Sequence, residues 1–120
     1  MKMLEHNQQV ALFCWATLQL SVYPELRWMH AIPNSAQRTP RQGAWMKAEG
    51  LKSGVWDIHL PIPRNWKSGL WIEMKCGKNK LTPAQEQFRL DLAVFFDFAV
   101  CYSWTDAKDA IVRYLDEAKF

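Results

Sequence analysis

The sequence predicts an α/β domain in which a central mixed β-sheet is flanked by α-helices. Two observations predict this class: segments with helical spacing of apolar residues alternate along the chain with short apolar strands, and the two central strands are close enough to pair antiparallel. At 120 residues the chain has room for one hydrophobic core, so we expect a single domain over residues 1–120. Apolar residues make up 49% of the chain, which is typical of a globular protein.

The first half of the chain is predicted to hold one long helix followed by mostly irregular structure. Residues 4–20 lack Gly and Pro and place apolar side chains at helical spacing. Residues 26–33 are predicted to form a short strand. Two Pro, one Gly and two Arg within residues 33–43 indicate a long basic loop, and residues 44–50 are expected to be a short helix closed by Gly50.

Two strands, residues 55–61 and 70–76, are separated by a loop and are expected to pair antiparallel. Side chains alternate between the two faces of a strand, so Glu73 and Lys75 share one face of the second strand while apolar residues fill the other. If the strands pair, Asp57 reaches the face that carries Glu73 and Lys75. These three residues are the candidates for chemistry.

The same alternation assigns the neighbours of Asp57 to the two faces of its strand. Trp56, Ile58 and Leu60 are expected on the face opposite Asp57. His59 shares the face of Asp57, but two residues along a strand span roughly 6–7 Å, so we leave His59 outside the candidate site.

Residues 82–96 form the most clearly predicted helix, because a Thr-Pro pair opens it and Gln85 stands where a capping box has Glu or Gln. Residues 98–104 follow as a strongly apolar strand. Thr105 or Asp106 is expected to cap the last helix. The buried face of that helix is predicted to consist of Ala110, Ile111, Tyr114 and Leu115.

Composition excludes several kinds of site. The three cysteines are odd in number and lie far apart, without a Cys-x-x-Cys or Cys/His cluster, so neither a zinc site nor a disulfide framework is expected. We therefore expect reduced thiols and a cytoplasmic location. The apolar run at residues 10–22 is too short to span a bilayer and is interpreted as a core helix, with no membrane partner. The formal charge of +3 is compatible with a nucleic acid partner.

The chemistry of the candidate site follows from its residue types. Two carboxylates held close together repel each other unless a divalent cation lies between them, and oxygen ligands on two strands suit Mg²⁺ or Mn²⁺. A lysine beside such a cation can orient or help to deprotonate an attacking water and can stabilise charge on a phosphate. Asp57, Glu73 and Lys75 therefore fit phosphodiester hydrolysis. The alternative is that Glu73 and Lys75 form a solvated pair on an edge strand, worth less than about 1 kcal/mol.

Three longer stretches carry a family resemblance: HAIPNSAQRT, MKAEGLKSGVWDIHLP and LWIEMKCGKNKLTPAQEQF. Together they resemble the VRR-NUC family, the virus-type replication and repair nucleases of the PD-(D/E)XK superfamily, in the stand-alone form typical of phages and bacteria. The resemblance runs from Glu5 in the first helix to the last helix. It implies a restriction-endonuclease-like core, and its order of elements agrees with the order predicted from periodicity.

The resemblance implies a role for each matching residue. It implies a metal site for Mg²⁺ or Mn²⁺ made of four groups: the side chains of Glu5 (directly or through water), Asp57 and Glu73 and the backbone carbonyl of Met74. Lys75 would serve the nucleophilic water. Gln85 matches the glutamine that opens the following helix in the family. No nucleotide cofactor is implied.

Three points stay open from the sequence. Gln85 has an alternative role as the partner of Thr82 in the capping box, and the two roles are compatible. Glu5 shares a helical face with polar residues and could equally face solvent. The family usually has Pro before its first acidic residue, where this chain has Trp56, and we expect Trp56 to leave Asp57 on its face.

The resemblance and the charge pattern also indicate where DNA would bind. His30 and Asn34 match positions that the family places near the DNA, although a strand histidine is more often structural. A basic run is the expected track for the DNA backbone, with a solvated face as the alternative. This run consists of Arg38, Arg41, Lys47 and Lys52. Trp45, Trp66 and Trp71 are candidates for stacking on unpaired bases, with buried packing or a subunit contact as the alternative.

The function predicted from these residues is that of a metal-dependent, structure-selective DNA endonuclease. The resemblance favours a homodimer that resolves four-way (Holliday) junctions, since two active sites related by a two-fold axis suit two symmetric nicks, and residues 92–100 could supply the interface. A nickase or flap endonuclease inside a repair or replication complex is one alternative. A non-catalytic DNA-binding module that keeps the nuclease fold is the other, and the intact set of Asp57, Glu73 and Lys75 argues against it.

Overall fold

The computed structural model describes residues 2–33 and 39–120, with the side chains of the first helix described from residue 4 onward. Its helices are α1 (Lys2–Leu18), a 3₁₀ helix (Pro24–Trp28), α2 (Pro40–Ala48), α3 (Pro83–Leu92) and α4 (Trp104–Leu115). Its strands are β1 (His30–Ala31), β2 (Ile58–Leu60), β3 (Leu70–Met74) and β4 (Asp97–Cys101).

The strands form one sheet in the order β1-β2-β3-β4. The pairs β1–β2 and β2–β3 are antiparallel, whereas β3 and β4 run parallel and are connected through α3. The predicted class, a mixed sheet flanked by helices, is therefore confirmed, as is the predicted pairing of the two central strands. Because β3 has a hydrogen-bonded neighbour on each side, it is an inner strand and not an edge strand.

The two faces of the sheet are covered differently. On one face, α1 and α4 bury an aliphatic core that includes Leu12, Ile58, Ile72 and Ile111. On the other face lies a set of contacting rings, here called the aromatic layer. It consists of Trp56, His59, Trp71, Phe88, Phe96 and Phe98. Phe88 belongs to α3, which therefore covers this second face.

The long N-terminal helix is confirmed, with α1 ending at Leu18 rather than at residue 20. Leu12 and Ala16 are buried one turn apart on the face that α1 turns toward the core. Among the residues that the structure describes, no helix is long and apolar enough to cross a membrane. The apolar run at residues 10–22 contributes to the core through its helical part.

The prediction of a strand over residues 26–33 is wrong for most of its length. The 3₁₀ helix Pro24–Trp28 occupies the first part, and β1 is a strand of only 2 residues. Leu26 and Met29 are both buried and lie three residues apart, which is the period of a 3₁₀ turn rather than that of a strand. Burial of two residues at this spacing favours a 3₁₀ turn over a strand.

The helix α2 begins inside the segment predicted to be a basic loop. Thr39 and Gln42 form a capping box around Pro40, with the same Thr-Pro-x-Gln pattern that opens α3. The prediction of a loop up to Gly43 is therefore wrong at its C-terminal end. The preceding part of the predicted loop, residues 34–38, lies outside the described residues.

The helix α4 also begins earlier than predicted. Its N-cap is Ser103, whose hydroxyl accepts a hydrogen bond from the backbone N–H of Asp106 at 3.1 Å. Neither Thr105 nor Asp106 is the cap, because the chain is already helical from Trp104 onward. The predicted buried face is present, with Ala107 in addition: Ile111, Tyr114 and Leu115 are buried and Ala110 is partly buried against the core.

The segment between α2 and β2 packs closely on the first turn of α3. A Cβ placed on Gly54, which has a φ of +90°, would lie 2.5 Å from the backbone oxygen of Ala84. Gly50 has a similar φ of +108°, but no heavy atom lies within 4 Å of the corresponding Cβ position. The two glycines therefore separate the effect of backbone strain from the effect of steric contact.

We expect Gly54→Ala to destabilise the protein by about 3 kcal/mol, because the new methyl group adds a clash with the α3 backbone to the strain of a positive φ. Gly50→Ala carries the strain alone and should cost about 1–2 kcal/mol. Denaturant unfolding followed by tryptophan fluorescence measures both free energies of unfolding. Equal losses in the two variants would contradict the close approach of Gly54 to Ala84.

Candidate active site

Asp57 and Glu73 face each other across the β2–β3 pair. Ile58 lies opposite Ile72 in this pair, and one more step in the same register places Asp57 opposite Glu73. The backbone N–H of Asp57 donates a hydrogen bond to Glu73 Oε1 at 3.1 Å. In return, the backbone N–H of Met74 donates to Asp57 Oδ2 at 3.0 Å. Each carboxylate is bonded to the backbone of the segment that carries the other, so the two acids lie together, as the strand alternation predicts.

Glu73 and Lys75 form a buried ion pair. Glu73 is 3% exposed. The Nζ of Lys75 lies 3.6 Å from Glu73 Oε2, with 12% of the lysine side chain exposed. The alternative of a solvated pair on an edge strand is therefore wrong. Burying charged groups is costly unless their partners and the site compensate for lost hydration, which makes this pair a candidate for function.

Gln85 connects the capping box of α3 to the site. Its Oε1 accepts a hydrogen bond from the backbone N–H of Thr82 at 2.9 Å, and its own backbone N–H donates to Thr82 Oγ1 at 3.2 Å. The Nε2 of the same side chain donates to Glu73 Oε2 at 3.0 Å. Gln85 therefore caps the helix and contacts the site at the same time, because the two ends of its amide have separate partners.

Glu5 approaches the site from α1. Its Oε2 accepts a hydrogen bond from the thiol of Cys76 at 3.4 Å. Burial is the main cause of a raised pKa of Asp57, and the negative charge of Glu5 adds to it. One turn along α1, Gln8 accepts a hydrogen bond from the backbone N–H of Trp104 at 2.7 Å, which fixes this part of α1 against α4. Glu5 thus lies on the side of α1 that faces the site, not on its solvent face.

Both central acids take up protons more readily than exposed carboxyl groups do. Burial raises the pKa of Glu73 to about 8, with the negative charge of Asp57 adding to the rise and the ammonium of Lys75 opposing it. Burial likewise raises the pKa of Asp57, and the hydrogen bond from Met74 partly offsets this. The cause in both cases is lost hydration of the charged form. A positive charge held between the two acids would relieve both effects.

Comparison with known proteins supports the fold described above. No family model matches the sequence, and no curated protein matches it. A solved structure named "VRR_NUC domain protein" is similar to this chain with a TM-score of 0.82 and 26% sequence identity, over 98% of this chain and 92% of that one. This likeness supports the VRR-NUC assignment that the sequence resemblance implies. The fold of the chain is accordingly that of the PD-(D/E)XK nucleases, as the sequence resemblance implies.

The structure brings the residues of the VRR-NUC pattern to one place. They are Asp57 just before β2, Glu73 and Met74 at the end of β3, Lys75 just after it, and Gln85 on α3. Glu5 lies near this group on α1 and contacts Cys76. Met74 takes part through its N–H, which donates to Asp57, and a ligand role for its carbonyl stays a prediction. The catalytic role of each residue stays a prediction as well.

The donors of the VRR-NUC site fit a divalent cation. Within residues 2–33 and 39–120, no three His, Cys, Asp or Glu side chains converge on one point as a complete metal cluster. A cation would therefore depend on fewer side chains together with other oxygens. Asp57 and Glu73 supply hard oxygen donors, the type that Mg²⁺ and Mn²⁺ bind along with water and phosphate oxygens. A carboxylate has about four lone-pair positions, more than these hydrogen bonds use.

The predicted DNA-contacting residues are described only in part. Asn34 and Arg38 lie outside the described residues. Arg41 and Lys47 are exposed on α2, none of whose residues is buried. Lys52 is exposed in the segment that leads to β2. Three of the four basic residues in the expected track are therefore at the surface, and their contact with DNA stays a prediction.

His30 and His59 are held by contacts within the fold. The Nδ1 of His30 lies 2.9 Å from the backbone oxygen of Trp28, and its ring meets that of His59 edge-on with centroids 5.7 Å apart. His59 stacks on Trp71 at 3.9 Å, on the face of Asp57 as predicted. Burial lowers the pKa of His59, so its ring is neutral at neutral pH. The neutral ring packs against other rings of the aromatic layer.

The three tryptophans proposed for base stacking differ in exposure. Trp71 is 9% exposed and lies in the aromatic layer, so buried packing is correct for it. Trp45 on α2 is 69% exposed, and Trp66 between β2 and β3 is 81% exposed. Buried packing is therefore wrong for these two. Trp45 borders a surface hollow together with Arg41 and Met46.

Trp56 is a neighbour of the VRR-NUC site that the sequence pattern places wrongly. It is fully buried, but its ring lies in the aromatic layer rather than on the face of Ile58. Its indole N–H donates to the backbone oxygen of Gln85 at 3.0 Å. The strand β2 begins only at Ile58, so strand alternation does not extend back to residue 56. Gly54 is the signal that could have shown this, because a glycine just before a strand marks a turn.

We expect the cation-free protein to lose stability as the pH rises toward 8. The folded-state pKa of Glu73 is about 8, above the ordinary value, so the folded chain binds this proton more tightly than the unfolded chain does. The resulting stabilisation is complete below the pKa of the unfolded chain and is lost as the pH rises through the folded pKa. Glu73→Gln cannot ionise and should exceed the wild type in stability above this pH by more than about 1 kcal/mol.

Thermal unfolding in EDTA, from about pH 5 to about pH 9, measures this difference. Glu49→Gln alters an exposed glutamate at the end of α2 and should leave the wild-type slope unchanged. A wild-type stability curve as flat as that of Glu73→Gln would show that Glu73 is already ionised throughout this range.

Proposed function

We propose that the chain is a Mg²⁺- or Mn²⁺-dependent endonuclease that hydrolyses phosphodiester bonds in DNA. The observation that supports this most directly is the pair of buried Glu73 and half-buried Asp57, bonded to each other's backbone segments, with the Lys75 ammonium 3.6 Å from Glu73. Two acids and an amine on one face of an inner strand pair suit metal-assisted hydrolysis of a phosphate ester. The likeness of the whole chain to a structure named "VRR_NUC domain protein" supports the same reaction.

The residues of the site have distinct tasks in this mechanism. Asp57 and Glu73 would hold the cation, with the Met74 carbonyl and Glu5, directly or through water, as further ligands. A bound divalent cation lowers the pKa of its water and offsets negative charge on the phosphate. Lys75 presents its ammonium next to Glu73, where it orients the attacking water and stabilises negative charge as it develops.

Gln85 sets the orientation of the Glu73 carboxylate. Its amide donates to Oε2 of Glu73, so rotation of the carboxylate would break a buried hydrogen bond. Two further bonds with Thr82 hold Gln85 itself. The carboxylate is thereby tied to the first turn of α3, and a site held in this way needs little rearrangement when substrate arrives.

We propose branched DNA as the substrate and a homodimer as the active form, resolving four-way (Holliday) junctions by paired nicks. Exposed apolar side chains before β4 support a subunit contact, with Val94 70% and Phe95 55% exposed. Two sites related by a two-fold axis suit two symmetric cuts. The resemblance to the superfamily implies products with a 5′-phosphate and a 3′-hydroxyl.

We propose that the protein works in a reducing, cytoplasmic setting, which is the host cytoplasm if a phage encodes it. No disulfide joins the three cysteines, all of which lie among the described residues. Burial raises the pKa of Cys101 to about 11, so this thiol stays protonated and unreactive. The proposed hydrolysis requires no nucleotide cofactor.

Lys75→Ala should lower the single-turnover rate of cleavage by about 10²–10⁴-fold, because it removes the only ammonium beside Glu73 among the described residues. The rate is measured on end-labelled four-way junction, flap and linear duplex DNA, in Mg²⁺, in Mn²⁺ and in EDTA. Lys108→Ala is the matched control, since Lys108 lies 3.4 Å from Asp109 in an ion pair on α4. It should cleave like the wild type, and EDTA should abolish cleavage by both.

The pattern of products decides between the substrates. Paired, symmetric nicks in the junction support the dimeric resolvase. Single nicks or flap cleavage would support the proposed hydrolysis but would identify the chain as a nickase or flap endonuclease instead of a junction resolvase. Binding without cleavage in either metal would contradict the enzymatic function and favour a non-catalytic DNA-binding module.

The exposed cations of the expected track should contribute to DNA affinity in a salt-dependent way. In the Lys75→Ala background, whose expected slow cleavage allows binding to be measured, we expect Arg41→Ala or Lys47→Ala to weaken junction binding and to reduce the slope of log affinity against log salt by about 1. Fluorescence anisotropy at several salt concentrations measures both quantities. Arg113→Ala removes an exposed arginine of α4 and is the control. An equal effect of Arg113→Ala would mean that the DNA does not follow α2.

A further inference from the structure

We propose that Trp56 is a positioning residue that fixes Gln85 and, through it, the carboxylate of Glu73. This proposal deepens the nuclease function proposed above and rests on it. Two hydrogen bonds in series carry it. The indole N–H of Trp56 donates to the backbone oxygen of Gln85 at 3.0 Å, and the Gln85 amide donates to Glu73 Oε2 at 3.0 Å. Trp56 is 0% exposed, so water does not compete for its N–H.

The bond from Trp56 reaches α3 from outside the helix. The capping box with Thr82 ties Gln85 only to its own helix, whereas the indole locates the first turn of α3 relative to β2. An indole N–H is a donor only, so the bond has one direction and one acceptor. Asp57 follows Trp56 directly, and Gln85 holds the carboxylate of Glu73. The bond from Trp56 to Gln85 therefore fixes the distance between the segment that carries Asp57 and the residue that holds Glu73.

The surroundings of Trp56 hold the indole in a single position. Its ring meets Phe98 of β4 edge-on, with centroids 4.9 Å apart and an interplanar angle of 76°. Two residues earlier, Gly54 approaches α3 so closely that a Cβ would lie 2.5 Å from the backbone oxygen of Ala84. The segment before β2 therefore touches α3 at two consecutive residues, Ala84 and Gln85. These contacts join the first turn of α3 to the segment that leads into Asp57.

The VRR-NUC pattern usually has Pro where this chain has Trp56, and this difference changes how Gln85 is held. A proline would restrict the backbone at this position but would offer no side-chain donor to Gln85. Trp56 leaves the backbone freer and fixes the turn through a hydrogen bond and a buried ring instead. The positioning of Gln85 in this chain therefore depends on a side chain.

Trp56→Phe tests the proposal by removing the N–H donor while keeping an aromatic ring. We expect the single-turnover cleavage rate to fall by about 10–100-fold, as for other residues that orient a ligand of a catalytic metal, with the affinity for DNA unchanged. In a Gln85→Ala background, the same substitution should change the rate by less than about twofold, because Trp56 acts only through Gln85. Trp28→Phe, at a tryptophan that is 59% exposed, is the control and should keep the wild-type rate.

Two kinetic results would overturn the proposal. One is an unchanged cleavage rate in Trp56→Phe. The other is a loss of the same size in the wild-type and Gln85→Ala backgrounds, which is the result expected if Trp56 contributes packing alone.

An NMR measurement on the cation-free, DNA-free protein separates this proposal from the nuclease function. We expect the side-chain amide of Gln85 to exchange slowly with solvent in the wild type and faster in Trp56→Phe. If this holds while the wild type cuts no DNA, the nuclease function fails and the positioning stands. If the amide is unaffected while the wild type cleaves, the positioning fails and the nuclease function stands. If Trp56→Phe does not fold, benzothienylalanine at position 56, which replaces the N–H with sulfur at similar ring size, serves as the second variant.

Discussion

The burial of Glu73 opposite a second, half-buried acid, Asp57, is the constraint on which the rest of the site depends. Asp57 and Glu73 are held together because donors surround them: backbone N–H groups, the amide of Gln85 and the ammonium of Lys75. These donors do not fully compensate the lost hydration, since the pKa of both acids remains raised. A divalent cation held between the two carboxylates would relieve the remaining penalty.

The helix α3 combines three structural roles that must be satisfied together. Its first turn is capped through Thr82 and Gln85. The same Gln85 orients Glu73 through a hydrogen bond. One turn later, the ring of Phe88 packs against that of Trp71, with centroids 5.1 Å apart, in the aromatic layer. Because one short helix carries the cap, the contact to the site and part of a hydrophobic layer, assembly of the layer and assembly of the site are coupled. A substitution in the aromatic layer is therefore expected to alter the positions of Asp57 and Glu73 through α3, although it contacts neither acid.

The central acids could be predicted from the sequence because the evidence for them is local. Strand alternation and antiparallel pairing are enough to bring Asp57 to Glu73, and a Thr-Pro-x-Gln pattern is enough to begin α3. The same pattern at Thr39 begins α2, but surrounding Pro and basic residues favoured a loop there. Gly54 could have warned that strand alternation does not reach Trp56, but the contact of Trp56 with Gln85 could not be predicted, because it depends on the approach of α3, nearly thirty residues away along the chain. The exposure of Trp66 is likewise decided by tertiary packing and not by its neighbours in sequence.

The two ends of β3 separate the proposed chemistry from the proposed subunit contact. Glu73 lies near the C-terminal end of β3, whereas the parallel register places Leu70 at the other end opposite Asp97. The exposed Val94 and Phe95 come just before Asp97, so they lie toward the end away from the acids. At about 3.3 Å per residue, the strand keeps the two surfaces apart. A dimer formed there would leave both sites open to DNA, and the spacing of the two cuts would depend on how the subunits are arranged. Selectivity for a branched substrate would then be a property of the dimer, while the proposed hydrolysis would need the residues of one chain only.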